Sequence, residues 1–429
     1  MTCSGSLLRG LCTSLVFVLF PATAFASGFS IFEQGAKASG LAGAYVALAD
    51  DASANWYNPA NLVWLEQGSQ FQFGGNLITV GGDTDFTAQD PAFGIFVPNT
   101  FEPEASIETP INAFYSSKIN SNLAWGIGLT TPFGLVTEWR QRPVTFSAQK
   151  SELQTFVVNP NVAFRMTQNV SIAVGFDYMF ADVKEFSREV PIDLDGNPLN
   201  GFEVIGFSNL TGDGDETSWN VALSFKGNGS AFGLTYRDGF DLELDGNVAY
   251  SSFGPLAAMF PSSSGLAAFG LPAQAAAGYG FQVGRRATVE VDVAWAEWSA
   301  FDAIVIDLDV NTPLSQDLEI REDWDDTMSY RIGVTWTAAN QNQWRFGAVF
   351  DENPIPVEYL RPSIPDADRI GLTIGYGFKG DKVDFDLYYM ALDFDEITAV
   401  PGAPESEGVI AGTYDSFTHL AGIGFNYRF

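Results

Sequence analysis

A two-residue alternation of apolar and polar side chains recurs along almost the whole of this 429-residue chain. At the C-terminus, Ile423, Phe425, Tyr427 and Phe429 share one face of an extended segment, and glycines and polar residues share the other. Such alternation is typical of β-strands, whose successive side chains point to opposite faces. In a soluble sandwich the apolar faces would meet in a core. In a membrane barrel they face lipid, and the polar faces line the bore.

Composition favours the membrane barrel over the sandwich. The chain contains 37 Phe, 14 Tyr and 10 Trp, a number suited to the aromatic girdles of such barrels. Outside the N-terminus it has no apolar run of about 18 residues, so helical membrane spans are excluded. We predict an all-β fold, a transmembrane antiparallel β-barrel formed by residues 66–429. The strand-like segments number roughly 12 to 16, and one or two soluble domains remain the weaker alternative.

Residues 1–26 read as a signal peptide. Arg9 supplies the positive charge, Leu11 to Phe20 a short apolar stretch, and Ala24 to Ala26 a small-residue cleavage pattern. The only two cysteines, Cys3 and Cys12, precede the predicted cleavage site, so the exported chain would hold no disulfide. Export combined with amphipathic strands predicts a location in the bacterial outer membrane, with its lipid as a partner.

The chain is strongly acidic, with a formal net charge of −31. Nucleic acid is therefore excluded as a partner, because it requires a basic surface. The acidic residues crowd between predicted strands, as from Asp317 to Asp326, where charge runs usually form solvated loops. Asp193 to Asn197 resembles the start of a calcium loop but lacks the distal Glu, so we interpret it as a turn. No metal or cofactor is predicted.

Residues 27–65 do not follow the alternation. They are rich in Ala and Gly, and Ala36, Gly40, Gly43 and Ala44 have helical spacing. Such a segment could be a periplasmic tail, or it could fold back into the bore as a plug. Small residues favour the plug, because a closed barrel leaves little room for bulky side chains.

Several motifs in this chain resemble one family, the FadL-type outer-membrane transporters of long-chain fatty acids and aromatic hydrocarbons. The motifs, in chain order, are Gly40 to Tyr45, Ala49 to Ser53, Asn58-Pro59-Ala60, Phe133 to Trp139, Trp295 to Ser299, Tyr330 to Ile332, Pro365 to Arg369 and Phe425 to Phe429. Each motif alone is weak, but their shared order covers essentially the whole mature chain.

The resemblance implies a fourteen-stranded barrel with a small N-terminal helical hatch in the lumen. It also implies capture of an apolar ligand at the outer loops, binding inside the barrel, and lateral release through a break in the third strand. Pro132 and Gly134 lie where that strand should be, and the alternative is that the strand ends at Thr131. Asn58, Pro59 and Ala60 read as a capped helix start, which the resemblance makes a fixed point of the hatch.

The ligand-binding candidates come from three places. Ser251 to Ala277 is too apolar for an ordinary loop, so Met259 and Phe260 are candidates for an outer capture site; packing over the barrel mouth is the alternative. Phe133 is a third candidate, beside the predicted strand break. The resemblance implies a basic pair for a fatty-acid carboxylate, and the nearest residues here are Lys184 and Arg321. The match is inexact, so fatty acids and neutral hydrocarbons both remain open.

Two other classes of barrel protein, enzymes and general porins, make different predictions about the sequence. Barrel enzymes commonly use a His as a base, but the single His419 shares the lipid-facing parity of Phe425, so we predict no catalytic residues. A general diffusion porin would have an open bore without a plug. The sequence thus predicts an outer-membrane transporter of hydrophobic compounds, with a channel for uncharged aromatic hydrocarbons or a general porin as alternatives.

Overall fold

The computed structural model describes residues 28–66, 68–81, 84–89, 98–194, 204–400, 402 and 408–429. The predicted signal peptide and most of the predicted turn from Asp193 to Asn197 lie outside these residues. In the described ranges, no helix combines the length and the apolar character needed to cross a membrane.

The described residues consist mainly of β-strands, with a few short helices. The strands are β1 (Ser69–Val80), β2 (Thr84–Gln89), β3 (Pro98–Phe101), β4 (Ser106–Glu108), β5 (Ile111–Lys118), β6 (Leu123–Thr130), β7 (Gly134–Glu138), β8 (Lys150–Arg165), β9 (Val170–Ile192), β10 (Val204–Lys226), β11 (Ser230–Arg237), β12 (Phe240–Ser251), β13 (Ser263–Leu271), β14 (Gln274–Val283), β15 (Ala287–Ala296), β16 (Ala303–Leu308), β17 (Leu318–Arg321), β18 (Thr327–Thr337), β19 (Gln343–Asp351), β20 (Arg369–Lys379), β21 (Val383–Phe394), β22 (Ile397–Ala399) and β23 (Gly412–Arg428). The α-helices are α1 (Ala36–Ser39), α2 (Ala54–Tyr57) and α3 (Val144–Ser147), and 3-10 helices span Pro59–Trp64, Gly254–Met259 and Trp298–Ala300.

Fourteen of the strands form a closed antiparallel ring. Its order is β1, β5, β6, β8, β9, β10, β11, β14, β15, β18, β19, β20, β21 and β23. The ring closes where β1 pairs with β23, as in the Phe73–Phe425 pair. Closure leaves the ring without a free edge strand, as a lipid environment requires. The predicted all-β barrel and its strand number are confirmed.

The two ends of the barrel differ in their connections. Short turns such as residues 227–229 and 380–382 join strands at one end, and the chain enters β1 and leaves β23 at that same end. At the other end the connections are long, and β12, β13, β16 and β17 form a further antiparallel sheet there. In bacterial barrels the short turns face the periplasm, so the long connections lie on the outer side.

The two faces of the barrel wall follow the predicted alternation. Leu372, Ile423 and Val174 point outward and are exposed, whereas Gln72 and Asn426 point into the bore and are buried. The bore also holds charges, and several of these pair with one another. Examples are Arg237 with Asp177, Arg345 with Asp386 at 2.5 Å, and Arg369 with Asp351 at 3.2 Å. Arg165 differs, because its guanidinium lies 4.3 Å from the ring of Trp64.

We expect Asp351→Ala to destabilise the barrel strongly. The Asp351 carboxylate is fully buried, accepts a bond from Ser329, and lies 3.2 Å from Arg369 and 4.0 Å from Arg331. Removing one partner of a buried ion pair costs about 3–5 kcal/mol, because the other charge is left unpaired. The measurement is the temperature at which the folded band is lost on an SDS gel. Asp241→Ala, on an exposed position of β12, should shift it little; an equal shift would contradict the expectation.

The N-terminal segment, residues 28–65, packs against the inner face of the strands. Helix α1 contacts β20, β21 and β23, while the Pro59–Trp64 helix contacts β5, β8 and β10 on the other side of the ring. Barrel glycines allow the close approach: a Cβ on Gly347 would lie 2.4 Å from a main-chain atom of Leu41. The segment therefore occupies space inside the ring, and its helical stretches are short.

Candidate functional site: two cavities and an interrupted wall

The barrel wall is interrupted between its second and third strands. The ladder between β5 and β6 ends at the Ala113–Leu129 pair, and the third strand resumes as β7 only at Gly134. Among the described residues, the next main-chain bond across this seam runs from the Glu104 N–H to the Glu138 carbonyl, 2.8 Å. The pairing of β6 and β7 with β8 continues on the other side. The seam therefore lacks ladder bonds over several residues.

The N-terminal segment supplies partners for the interrupted strand. The Ile31 N–H donates to the Pro132 carbonyl at 2.8 Å, and the Gly134 N–H donates to the Phe29 carbonyl at 3.1 Å. The side-chain amide of Gln34 bonds both main-chain groups of the residue before Pro132. Buried main-chain groups need such partners. At the interruption, the main chain is therefore bonded to residues 29–34 of the N-terminal segment and not to β5.

A cavity of about 550 Å³ lies at the interruption, and we call it the side cavity. Its lining includes Thr109 and Ile111, which are exposed on the wall, and Asp366, which is buried towards the bore. It also includes Phe133 and Gly134. The side cavity therefore extends from the bore to the wall at the seam without ladder bonds.

A second cavity of about 360 Å³, the outer cavity, lies on the side of the long connections. Its walls come from the outer parts of several strands and from the β19–β20 connection. The apolar lining residues are Phe29, Leu135, Ala148, Leu153, Val183, Phe186, Val190, Leu210, Leu244, Val248, Tyr250, Phe260, Ala267, Phe269, Phe301, Ile304, Ile306, Leu308, Leu314, Leu318, Ile320 and Ile364. Its size and apolar lining are those of a small-molecule site.

Among the described residues, Phe29 is the one aromatic side chain that lines both cavities. Its ring makes edge contacts with Phe133, Trp298, Phe301 and Trp324, with centroids 4.9–6.1 Å apart. Such a cluster fixes the ring firmly, because edge-to-face pairs add to simple burial. The preceding residue must be glycine, since its φ is +60° and a Cβ would lie 2.8 Å from two indole rings.

One buried ion pair lies in the wall of the outer cavity. Arg361 Nη1 is 2.8 Å from Glu322 Oε1, and the two side chains are 7% and 6% exposed. The other Glu322 oxygen accepts from the Trp324 indole at 3.2 Å. Glu322 lies between β17 and β18, outside the membrane-spanning strands. Burial raises its pKa to about 7, and the Arg361 charge offsets part of that rise.

The structure separates the predicted ligand-binding residues. Phe260 is buried in the lining of the outer cavity, and Phe133 is buried in that of the side cavity. Met259 is exposed and lines neither cavity. Lys184 pairs with Asp182, and Arg321 with Asp323 at 3.3 Å; both basic side chains are exposed and line neither cavity. Lys184 and Arg321 therefore do not form a basic pair around the outer cavity.

The predicted hatch and gating residues lie at two places. Pro132 lies within the interruption between β6 and β7, and Gly134 begins β7 and lines the side cavity. Asn58 caps the Pro59–Trp64 helix by accepting from the Ala60 N–H at 3.1 Å, and its amide donates to the Leu223 carbonyl of the wall at 3.2 Å. This bond links the start of the helix to β10.

Sequence reasoning missed three residues of the site: Phe29, Glu322 and Arg361. Phe29 is the third residue after the expected cleavage site, in a segment without alternation. Glu322 belongs to the acidic run that was interpreted as a solvated loop, yet it is buried and paired. The neighbouring Trp324 was the available signal, because an indole inside an acidic run indicates that part of the run is buried.

Fold and site together define a class: an outer-membrane barrel with a partly filled bore, an apolar cavity and an interrupted wall. The chain belongs to the family described as outer membrane protein transport protein (OMPP1/FadL/TodX), whose model matches residues 17–429. The protein is therefore located in the outer membrane.

Curated relatives and solved structures agree with this assignment. The chain is 26% identical to a long-chain fatty acid transport protein of Escherichia coli O6:H1, over 97% of each chain. It is 24% identical to a putative outer membrane protein of Neisseria meningitidis, over 95% of this chain and 96% of the relative. A FadL homologue of Pseudomonas aeruginosa has the same fold, with a TM-score of 0.79, 18% identity, and coverage of 94% of this chain and 100% of that one. The toluene transporter TbuX of Ralstonia pickettii gives a TM-score of 0.67 at 16% identity, covering 93% of this chain and 100% of that one.

Proposed function

We propose that this protein carries hydrophobic compounds across the outer membrane by lateral release into the bilayer. The ligand enters the outer cavity, passes Phe29 into the side cavity, and leaves through the seam between β5 and β7. The observation that carries the proposal is that an apolar cavity and an unpaired part of the wall share a lining, in which Phe29 is the one aromatic residue. An apolar molecule gains nothing from a watery bore, whereas this route keeps its surface covered.

The N-terminal segment serves as the hatch in this proposal. It contacts strands on opposite sides of the ring, and a segment placed across the bore in this way would close the direct route along it. Asn58, Pro59 and Ala60 fix its lower end, and the bonds of residues 29–34 to the interrupted strand fix its upper end. This supports transport over both catalysis and general diffusion.

Uptake by whole cells tests the proposal. Cells expressing the protein, in a host lacking related transporters, should accumulate radiolabelled decane faster than cells expressing an unrelated outer-membrane barrel. Equal accumulation would contradict transport. Proteoliposomes of the purified protein should not swell in small sugars, and rapid swelling would favour the porin alternative.

We expect Phe29→Ala to speed uptake. The substitution removes the ring that divides the two cavities, so a ligand no longer displaces it. Loss of a barrier of about 1 kcal/mol corresponds to about a fivefold faster rate. Phe301→Ala is the matched control, because Phe301 belongs to the same aromatic cluster but lines only the outer cavity. Equal uptake by the two variants would contradict the dividing role of Phe29.

A further inference from the structure

In the ion pair of the outer cavity, both side chains find hydrogen-bond partners within the protein. Arg361 contacts Glu322 at 2.8 Å and donates to the Arg321 carbonyl at 2.9 Å. Glu322 in turn has a partner at each oxygen, since its second oxygen accepts from Trp324. The pair therefore satisfies its own hydrogen-bonding needs without a ligand. A carboxylate of the protein already lies where a carboxylate ligand would contact Arg361.

The remaining charges of the lining do not favour an anion. Arg188 and Glu319 also line the outer cavity. Glu319 is exposed, and Arg188 is half-buried with an interaction of its own. The four charged side chains of the described lining are two arginines and two glutamates, so their formal charges cancel. Of these four lining side chains, only Arg361 is both buried and cationic.

A ligand carboxylate would have to separate Glu322 from Arg361. Glu322 would then be left buried beside a second negative charge, which is strongly unfavourable in a site that excludes water. An uncharged ligand makes no such demand, because it needs only the apolar walls. For two ligands with the same hydrocarbon chain, the geometry therefore favours the uncharged ligand over the carboxylate.

Building on the proposed function, we propose that the outer cavity selects uncharged apolar molecules over fatty-acid anions, with Glu322 as the residue that excludes the carboxylate. The substrate class is neutral hydrocarbons and neutral compounds with a small polar group, such as alcohols. Arg361 alone would attract an anion. Paired with Glu322 it presents no net charge to the ligand.

The test compares decanoate with 1-decanol, which share a chain length and differ in charge. Binding to the purified protein in detergent is measured by calorimetry at about pH 8.5, where the fatty acid is ionised. The wild type should bind 1-decanol about tenfold tighter than decanoate, a difference of about 1.4 kcal/mol. Glu322→Gln removes the excluding charge and nearly keeps the shape. It should gain about tenfold for decanoate while its affinity for 1-decanol stays within about twofold.

Two control variants separate this effect from a general change of charge. Glu319→Gln removes the same charge from the same lining but leaves the buried pair intact, so it should not gain affinity for decanoate. Glu322→Gln combined with Arg361→Gln removes the cation as well, and should lose the gain. Retained binding of 1-decanol shows that each variant is folded. Should Glu322→Gln fail to fold, the wild-type comparison alone decides.

Three results would contradict the inference, and each contradicts a different part of it. If the wild type binds decanoate as tightly as 1-decanol, the proposed preference for uncharged ligands is wrong, but the proposal of hydrophobic transport still stands. An equal gain for decanoate in Glu319→Gln and Glu322→Gln removes the role of Glu322. Wild-type protein that binds neither compound removes the proposed function itself, and the inference with it.

Discussion

Oxidation of a Ser30→Cys/Phe133→Cys variant should stop uptake, and a reductant should restore it. Ser30 and Phe133 form an isolated antiparallel bridge between the N-terminal segment and the interrupted strand. Opposed residues of this kind have Cα atoms about 4.5–5.5 Å apart, which suits a disulfide. A disulfide would fix residues 29–31 over the seam, so a ligand could not pass Phe29. We expect uptake of labelled decane to fall by about tenfold or more, a barrier increase of at least about 1.4 kcal/mol.

The reduced form of the same variant is the control, because it carries the same loss of the Phe133 ring. The only natural cysteines, Cys3 and Cys12, lie in the predicted signal peptide, so the exported variant would hold a single possible disulfide. Equal uptake by the oxidised and reduced forms would show that the ligand does not pass this point. Each single-cysteine variant should be insensitive to oxidation.

Replacing Glu290 and Asp292 together by alanine should open the bore. Asp292 Oδ2 accepts from the Tyr45 and Val46 N–H groups at 2.8 and 3.0 Å, and Glu290 accepts from the next two N–H groups. These carboxylates hold a bend of the N-terminal segment against β15. Each unsatisfied N–H costs about 1–3 kcal/mol in a dry site, so leaving four N–H groups without an acceptor should release the bend.

The readout is ion conductance in a planar bilayer, which should rise from near zero to steps typical of an open pore. The pair Glu290→Gln and Asp292→Asn is the matched control, since amide oxygens still accept from the same N–H groups. That control should stay close to the wild type. Conductance that is low in both variants would contradict the role of these residues in holding the segment.

The barrel itself was predictable because its chemistry repeats at every strand. Lipid on one side and a filled bore on the other impose the alternation seen at Phe425 and Asn426, and short turns such as residues 227–229 separate the strands. The same alternation places Arg345 and Asp386 on the inward face, where the two side chains pair. Neither inference needed knowledge of long-range contacts.

The site was less predictable because its residues come from connections without a period. Arg361 lies in the β19–β20 connection and Glu322 between β17 and β18, and no sequence pattern indicates that the two meet. A shift of one residue separated the expected Arg321, which is exposed, from Glu322, which is buried. The stretch from Ser251 to Ala277 combines the 3-10 helix Gly254–Met259 with β13 and the beginning of β14. Its apolar residues therefore include positions that pack against neighbouring strands.

The sequence around Pro132 is compatible with both a gap in the strand and a simple strand end. The structure explains why the sequence does not distinguish the two. The third strand resumes at Gly134, and the intervening main chain is bonded to Phe29 and Ile31 about a hundred residues away. Such partners are invisible to a local pattern. Proline and glycine indicate only that ladder pairing is weak.

Lateral release is tested most directly by mapping where a photoreactive hydrocarbon reacts with the protein during transport. A diazirine-bearing alkane is supplied to cells, activated by light, and its adducts are located by mass spectrometry. We expect adducts on Phe260 and Phe269 in the outer cavity, and on Ile111 and nearby residues at the seam. Adducts along the periplasmic part of the bore, such as at Lys379, without any at the seam, would contradict lateral release.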